Sequence, residues 1–267
     1  MMHNLCELTV LMAINRIDSY TQESIESILL QSYTEYKFVI VCNGKNADDI
    51  AEHILKKYKD SRINTLIVSI PGLANALNFG LSTINTKYVA RMDADDISLK
   101  NRFKEQIAYL EENPNVGVLG CKVDLINESG EKLNDKFIHL STHKKIVRWL
   151  PVFNSMCHPA LMFHTKCLQD VGGYKYGFHS EDHELFIRIS RETGWEFANL
   201  KNVLLKYRRH NNQITGGGSL KIFSQVAGFL MMHFLKSGNI LFLFGAIWVS
   251  PPILWIKKKI RAFIRLF

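Results

Sequence analysis

The sequence lacks the cysteine pattern of a disulfide-bonded or zinc-binding protein. Its five cysteines are scattered, odd in number and never arranged as C-x-x-C. This usage favours a reducing compartment. The N-terminal stretch also lacks a basic region followed by a long apolar run, so we expect no secretory signal peptide and a cytosolic protein body.

Acidic residues are missing from the C-terminal end of the chain. The last eleven residues hold five Lys or Arg and no Asp or Glu, and they supply most of the formal net charge of +8. A nucleic-acid-binding protein usually carries its basic face on the folded body, so we expect no nucleic-acid partner. A basic tail beside the apolar run 240–256 favours contact with a membrane surface instead.

The apolar run 240–256 is interrupted by Ser250 and by Pro251-Pro252. Its length is at the lower limit for crossing the hydrocarbon of a bilayer, and the prolines interrupt a helix. The sequence therefore predicts interfacial or re-entrant helices in a C-terminal extension, 216–267, which begins with a Gly-rich linker. A helical hairpin packed on the protein's own core is the alternative that stays open.

Short apolar runs alternate with helical periodicity in the first half of the chain. Strands are predicted over four such runs, 8–12, 38–41, 66–70 and 88–92. Their alternation with helices indicates an α/β fold with a parallel sheet and crossover helices. Ligands bind such sheets beyond the carboxyl ends of the strands, so the site is expected in the loops that follow these runs.

The second half of the chain has a more mixed pattern. Strands are predicted at 116–119 and 123–126, with a turn at 128–130, and further short strands at 161–163 and 204–207. A helix is predicted to begin near Ser180. We divide the main body into two halves, 1–100 and 101–215.

Three carboxylates, those of Asp93, Asp95 and Asp96, directly follow the fourth predicted strand. Carboxylates this close together repel one another unless a cation joins them. Mg²⁺ and Mn²⁺ prefer carboxylate oxygens and keep positions free for water and phosphate. The cluster therefore predicts a metal site that bridges a diphosphate. A solvated acidic loop, with Asp96 or Ser98 capping the next helix, is the open alternative.

Several motifs occur in an order that is typical of one enzyme family. The run 72–103, which contains GLANALNFG and ARMDADD, resembles the central block of family 2 glycosyltransferases, in particular the exopolysaccharide branch typified by amylovoran biosynthesis enzymes. Other landmarks in the family's order are the runs 10–33, FVIVCNGK, HPALMF, VGGY, SEDHELFIR and YRRHNNQIT. The resemblance covers roughly residues 6–215 and does not include the C-terminal extension.

This resemblance implies a GT-A fold, with a mixed, mainly parallel sheet and flanking helices, and a nucleotide-diphospho-sugar donor, a UDP-sugar first of all. It also implies Mn²⁺ or Mg²⁺ as cofactor. Residues 1–100 would form the nucleotide-sugar-binding half and residues 101–215 the acceptor-binding half. The residues carried over as donor-binding are Met12, Ala13, Asn15, Asn43, Ala74, Asn75, Asn78, Arg91, Asp93, Ala94 and Asp95. The residues carried over as metal ligands are Asp93, Asp95, Asp96 and His210, the last with a plain surface histidine as the alternative.

The chain departs from the family's pattern after the second strand. The family usually has two acids there, of which the second often reads the nucleobase, whereas this chain has Cys42 and Asn43. An asparagine amide both donates and accepts, so Asn43 can still bind the edge of a base. A purely structural turn is an equal alternative, and the departure leaves the identity of the base open.

Glu181 and Asp182 match the acid pair that opens the family's acceptor-side helix. Transfer requires a general base that takes a proton from the acceptor hydroxyl as it attacks the anomeric carbon. The resemblance assigns this role to Asp182, with Glu181 positioning the acceptor, and it implies inversion at that carbon. The metal, and Arg208 or Arg209, are expected to stabilise the departing diphosphate. Simple complementation of a helix dipole is the alternative for the two acids.

The sequence thus predicts an inverting, metal-dependent glycosyltransferase at the inner face of the cell membrane, acting on a lipid-linked oligosaccharide of a surface polysaccharide. A non-catalytic sugar- or nucleotide-binding module is one rival. A nucleotidyltransferase is a more distant one, because the first predicted loop has no glycine-rich phosphate-binding segment. H-S-E-D-H does not match the zinc hydrolase motif, and neither G-x-S-x-G nor a P-loop occurs.

Overall fold

The fold is described from a computed structural model over residues 7–175, 180–210, 220–250 and 252–253. The strands are β1 (Leu8–Ile14), β2 (Tyr36–Asn43), β3 (Ile63–Val68), β4 (Tyr88–Met92), β5 (Ile97–Ser98), β6 (Val116–Ile126), β7 (Met162–His164) and β8 (Glu196–Arg208). The helices are α1 (Ser19–Leu29), α2 (Ala47–Lys57), α3 (Leu73–Ser82), α4 (Arg102–Glu112), α5 (His143–Trp149), α6 (Thr165–Asp170), α7 (Glu181–Glu192), α8 (Leu220–Ser237) and α9 (Ile240–Val249).

All eight strands form one mixed sheet in the order β3-β2-β1-β4-β7-β6-β8-β5. The strands β3, β2, β1 and β4 are parallel, as the βα alternation of the first half predicts. The strand β7 is antiparallel to both β4 and β6, and it joins the two halves of the sheet. Met12 pairs with Ile40 and with Met92, so β1, β2 and β4 end at the same edge.

Helices cover both faces of the sheet, which explains why its strands are continuously apolar rather than alternating. The helices α1, α2 and α4 bury residues such as Ile25, Ile50 and Phe103 against one face. The helices α3 and α5 to α9 bury residues such as Leu77 and Leu185 against the other. This layering confirms the predicted mixed α/β sheet with flanking helices.

Several elements differ from their predicted form. The two strands predicted between 116 and 126 are one strand, β6, whose pairing with β8 shifts register around Cys121 and Lys122. The last strand extends well beyond the predicted 204–207, and the short strand β5 has too few residues for a periodic signal. The helix α1 begins with a capping box, in which the Asp18 side chain accepts from the Thr21 N–H.

The helices α8 and α9 form a hairpin that packs on the body of the protein. Val226 and Leu230 of α8 and Phe242 and Ala246 of α9 are buried in the same core as α7. At Gly245 the helix approaches the chain so closely that an added Cβ would lie 1.6 Å from the Pro151 carbonyl oxygen. The alternative of a hairpin on the protein's own core is therefore confirmed for these helices.

The apolar character of the C-terminal extension does not produce a spanning helix in the residues described. No helix there is both long enough and apolar enough to cross a bilayer. The cationic tail, from Lys257 onward, lies outside the described residues.

Candidate functional site

The acidic cluster lies at the carboxyl end of β4, at the edge where β1 and β2 also end. One oxygen from each of Asp93, Asp95 and Asp96 lies within 4.8 Å of the others. The Ser24 hydroxyl on α1 donates to the Asp93 backbone oxygen at 2.7 Å and ties this loop to the neighbouring helix. The topology therefore brings the predicted acids together at the predicted edge.

The acidic cluster fits a hard divalent cation. Burial raises the pKa of Asp93, and it raises the pKa of Asp96 well above its ordinary value, with the neighbouring acids adding to both effects. The Oδ2 atom of Asp96 is buried and has no hydrogen-bond partner among the described residues. Clustered carboxylate oxygens that destabilise one another as anions are the donor set that Mg²⁺ and Mn²⁺ prefer.

His210 joins the cluster from the end of β8. Its Nε2 atom lies 2.9 Å from Oδ2 of Asp95, and its ring stacks on Tyr20 with 5.5 Å between the centroids. The side chain is nearly fully buried, so the structure does not support the alternative of a plain surface histidine.

Arg208 is a structural part of the acidic loop. Its backbone amide donates to Oδ1 of Asp96 at 2.8 Å, and its Nε donates to the Asp95 carbonyl at 2.9 Å. The guanidinium also pairs with Glu23 and is almost completely buried. The expectation that Arg208 binds the leaving diphosphate is therefore not supported. Arg209 is half-exposed and pairs with Asp135.

Arg91 extends from β4 into the interior beside the acidic loop. One nitrogen, Nη2, donates to Asp93, while Nε and Nη1 are buried with no hydrogen-bond partner among the described residues. Arg102 of α4 is bonded to this strand, since its Nη2 donates to the Arg91 carbonyl at 2.7 Å. Two of the three side-chain nitrogens of Arg91 are therefore buried without a hydrogen-bond partner among the described residues.

Glu181 and Asp182 occupy the first turn of α7, as predicted. Burial raises the pKa of Glu181 to about 8, and the nearby charge of Asp182 adds to this effect. Burial also raises the pKa of Asp182 to about 6, although the His183 and Asp182 backbone amides oppose the shift. Burial therefore favours a proton on the pair at neutral pH, and Asp182 is the more acidic of the two carboxyl groups. Such a split is typical of catalytic acid pairs.

The VGGY motif links the donor-side helix α3 to α7. The Tyr174 backbone N–H donates to Oδ1 of Asn78 at 2.9 Å, and Nδ2 of Asn78 donates to the Tyr174 carbonyl at 2.6 Å. Gly173 adopts a φ of +66°, and a Cβ there would lie 2.5 Å from Oδ1 of Asn78, so glycine is required. Both polar atoms of Asn78 are therefore engaged within the protein.

His158 lies between this motif and the acid pair. Its Nε2 is 2.7 Å from the Tyr174 hydroxyl, and its Nδ1 is 3.9 Å from Oε1 of Glu181. Burial lowers the pKa of His158 well below its ordinary value, so the ring is neutral.

Asn43 is buried at the end of β2. Its Nδ2 donates to the Ile14 carbonyl at 2.8 Å, and its Oδ1 accepts from the Gly72 N–H at 3.3 Å. It thereby ties the carboxyl end of β1 to the turn before α3. This arrangement favours the structural-turn alternative for Asn43, while contact with a base remains a prediction.

The other predicted donor-binding residues differ in accessibility. The side chains of Met12 and Ala74 are buried in the core, so only their backbone could meet a ligand. Ala13 and Ala94 are partly exposed, and Asn15 and Asn75 are exposed at the same edge of the sheet.

Sequence reasoning missed Asn154, which lies in the segment between α5 and a single 3₁₀ turn, His158–Ala160. Its Nδ2 donates to Oδ2 of Asp182 at 3.0 Å. A lone asparagine in a loop has no periodic or motif signal, so only the fold reveals this contact.

Structural comparisons show the fold. The mannosyltransferase PcManGT from Pyrobaculum calidifontis, solved with GDP-Man and Mn²⁺, superposes with a TM-score of 0.64 at 14% identity, covering 98% of this chain and 81% of that one. S. aureus TarS 1-349, solved with UDP-GlcNAc, superposes with a TM-score of 0.63 at 14% identity, covering 84% of this chain and 66% of that one. Both likenesses agree with the GT-A-type fold that the sequence predicts.

Sequence comparisons identify the family. The model of glycosyl transferase family 2 matches residues 9–172. The O-antigen biosynthesis glycosyltransferase WbnJ of Escherichia coli is 35% identical over 87% of this chain and 91% of its own length. The amylovoran biosynthesis glycosyltransferase AmsE of Erwinia amylovora is 32% identical over 72% of each chain. With the fold and the acid pairs at the sheet edge, these matches show that the chain belongs to glycosyl transferase family 2.

Proposed function

We propose that the protein is an inverting, divalent-cation-dependent transferase that moves a sugar from a nucleotide-diphospho-sugar to a hydroxyl group of a lipid-linked saccharide. One observation carries the proposal. A chain of contacts runs from Asn78 on α3 through Tyr174 and His158 to Glu181. The charges of Arg91 and Asp93 also influence the pKa of Glu181 and of Asp182. The donor-side cluster and the acceptor-side pair therefore belong to one site.

The donor side of this proposal rests on the acidic cluster. Asp93, Asp95 and Asp96, with His210, would hold Mn²⁺ or Mg²⁺, and the bound cation would neutralise charge on the donor diphosphate. Arg91 is buried and would orient Asp93 through the hydrogen bond from its Nη2. A UDP-sugar is the first candidate, and GDP-mannose remains a second because PcManGT was solved with it.

The acceptor side rests on Asp182. A general base must be ionised before it can accept a proton, and the pKa of about 6 leaves Asp182 ionised at neutral pH. The acceptor oxygen would bond to the anomeric carbon as its proton passes to Asp182. The bond to the diphosphate would break with its electron pair, so a single displacement inverts the configuration. The neutral Glu181 beside it is able to donate a hydrogen bond to the acceptor.

The saccharide class is inferred from relatives. WbnJ is a glycosyltransferase of O-antigen biosynthesis, and AmsE is a glycosyltransferase of amylovoran biosynthesis. Both products are surface polysaccharides. We place this chain in the same class of pathway, adding one sugar to a growing chain. A lipid-linked acceptor stays at the membrane surface, so an enzyme held there meets it at a high effective concentration.

A donor screen tests the proposal. Nucleotide-diphospho-sugars are added with and without Mn²⁺, and both the melting temperature and nucleotide release are measured. The correct donor should give the largest rise in melting temperature, only with the cation. Turnover should be lost in both Asp95→Ala and Asp182→Asn, while Asp182→Asn should still bind the donor. Binding without turnover in the unmodified protein, for every donor and acceptor tried, would favour the binding-module rival.

We also propose that the C-terminal hairpin and its tail hold the enzyme on the cytoplasmic face of the membrane. One side of α9 packs on the body, whereas Leu241, Phe244, Ile247 and Trp248 on the other side remain about 40–50% exposed. An exposed apolar helix face followed in sequence by a run of Lys and Arg favours an anionic lipid surface.

Vesicle sedimentation tests the membrane proposal. Replacing Phe244 and Trp248 with serine should reduce binding to vesicles that contain anionic lipid, because both side chains are exposed. Leu30 and Ile70 are more exposed but lie on the body, so Leu30→Ser with Ile70→Ser is the matched control and should leave binding unchanged. Equal sedimentation of the two double variants would contradict the proposal. Point substitutions are preferable to deletion, since α9 also contributes to the core.

A further inference from the structure

The amide group of Asn154 has a fixed orientation next to the proposed base. Its Oδ1 accepts from the Met156 backbone N–H at 2.8 Å, and its Nδ2 donates to Oδ2 of Asp182 at 3.0 Å. A backbone N–H can only donate, so the bond to Met156 identifies the oxygen side of the amide. The amide nitrogen Nδ2, which donates hydrogen bonds, is therefore the atom that faces Asp182.

The segment that carries Asn154 is held in place at both of its ends. The Leu150 carbonyl is 2.6 Å from Nε2 of His183, the residue that follows Asp182 on α7. The Ser155 carbonyl accepts from Nδ2 of Asn199 on β8 at 3.3 Å. Asn154 is thus fixed relative to the helix that carries the acid, as a positioning group must be.

We infer that Asn154 is a positioning residue for the proton transfer to Asp182. This inference rests on the proposed function. The donated hydrogen bond occupies Oδ2 and favours the ionised carboxylate, which leaves Oδ1 to accept the proton of the acceptor hydroxyl. Asn154 does not touch the reacting atoms, and it acts only through the orientation and ionisation of Asp182.

Several charged and titratable groups influence the same carboxylate. Arg91 favours the ionised form of Asp182, while Asp93 opposes it. The neighbouring Glu181 and the hydroxyl of Tyr174 also interact with it. A substitution at Asn154 leaves these four groups in place. The contribution of Asn154 to the pKa of Asp182 is therefore measured as the difference between the variant and the unmodified enzyme.

The substitution Asn154→Asp provides the sharpest test. It keeps the size of the side chain and the oxygen that accepts from Met156, but it replaces the donor facing Asp182 by a second carboxylate oxygen. We expect kcat to fall about tenfold or more, with the KM for the donor nearly unchanged. The acid limb of the kcat–pH profile should move upward by about one pH unit or more, because one hydrogen bond to the carboxylate is lost and a second negative charge lies beside it. Asn154→Ala should shift the limb in the same direction.

The matched control is Asn202→Asp. Asn202 also donates from Nδ2 to a carboxylate, Oε2 of Glu105, at 2.6 Å, but on the exposed surface away from the site. This variant should keep the kcat and the pH profile of the unmodified enzyme. Melting temperatures of all variants, measured with and without the donor, verify that they fold and bind.

The outcomes separate this inference from the proposed function. If Asp182→Asn is inactive while Asn154→Asp keeps the unmodified kcat and acid limb, the positioning role is wrong and the proposed base stands. A change in KM or melting temperature without a shifted acid limb would also overturn it, because that result indicates a merely structural residue. Full activity of Asp182→Asn would instead overturn the proposed function.

Discussion

Arg208 donates from Nε to the Asp95 carbonyl at 2.9 Å, so the end of β8 holds the acidic loop that follows β4. Its guanidinium lies 4.6 Å from the ring centroid of Tyr20 on α1, and further bonds reach the Asn127 and Glu128 carbonyls. A buried arginine thus joins three elements around the proposed cation site. Its positive charge is used to shape the loop rather than to meet a ligand.

Substitution of Arg208 should therefore weaken cation binding. In Arg208→Lys the planar fork is lost, so the bonds to the Asp95 and Glu128 carbonyls cannot all be kept. We expect the Mn²⁺ concentration for half-maximal activity to rise by about 10- to 100-fold, as for other groups that orient metal ligands. A Mn²⁺ titration of turnover measures it. Arg209 is the next residue in the sequence but is half-exposed, so Arg209→Lys should need the same Mn²⁺ concentration as the unmodified enzyme. Identical titrations of both variants would contradict this role.

The substitution Asp182→Asn should remove activity and raise stability. Loss of a general base costs about 10²- to 10⁴-fold in rate. The pKa of Asp182 is raised in the folded state from 3.8 to about 6, so the folded protein binds the proton more tightly than the unfolded chain does. This contribution to stability is present below pH 4 and is lost as the pH rises through 6.

The stability part of this prediction is measured by melting temperature. Asp182→Asn should melt higher than the unmodified protein at pH 8, and the difference should shrink toward pH 4. A lower melting temperature of the variant at pH 8 would mean that the ionised carboxylate stabilises the fold. The paired loss of rate and gain of stability is the pattern expected where a site is built for function rather than stability.

The rate of the unmodified enzyme should depend on pH through Asp182. Because the base must be ionised, kcat should fall about tenfold per pH unit below about pH 6 and level off above it. The measurement requires saturating Mn²⁺ and donor, so that binding is constant. The residual activity of Asp182→Asn should lack this acid limb. A flat profile of the unmodified enzyme between pH 4.5 and 7 would exclude Asp182 as the base.

The sequence alone predicted the parallel half of the sheet and the edge where the site lies. Strands β1, β2 and β4 are buried on both faces, so their apolar runs mark them clearly. The edge strand β3 is only partly buried, and it spans Ile63–Val68 rather than the predicted 66–70. The strand β6 was split in two because the polar Lys122 interrupts its apolar run. The strand continues through Lys122 because β6 pairs with β8 on both sides of this residue. The local sequence contains no signal for this pairing.

The acids of the site could be predicted, but the residues that organise them could not. Asp93, Asp95 and Asp182 stand in motifs next to predicted element ends. Arg208 contacts Asp96 across 112 positions of the chain, and its position in the motif YRRH gave no indication of burial. Such contacts depend on which strands become neighbours, and β8 reaches the acidic loop only because β5 pairs with it.

The contact between α9 and the body gives a prediction about packing. A Cβ on Gly245 would lie 1.6 Å from the Pro151 carbonyl oxygen, and a backbone atom cannot move aside as the end of a flexible side chain does. Gly245→Ala should therefore push α9 away from the body and destabilise the protein by about 1–3 kcal/mol. Thermal or urea unfolding measures this loss.

Gly228 on α8 provides the matched control, because a Cβ there would meet nothing within 4 Å. Alanine is the better helix former by about 1 kcal/mol, so Gly228→Ala should be neutral or stabilising. Since Pro151 begins the segment that leads to Asn154, displacement of α9 should also lower kcat in Gly245→Ala, with no such effect in Gly228→Ala. Equal unfolding free energies of the two variants would mean that α9 does not rest on Pro151.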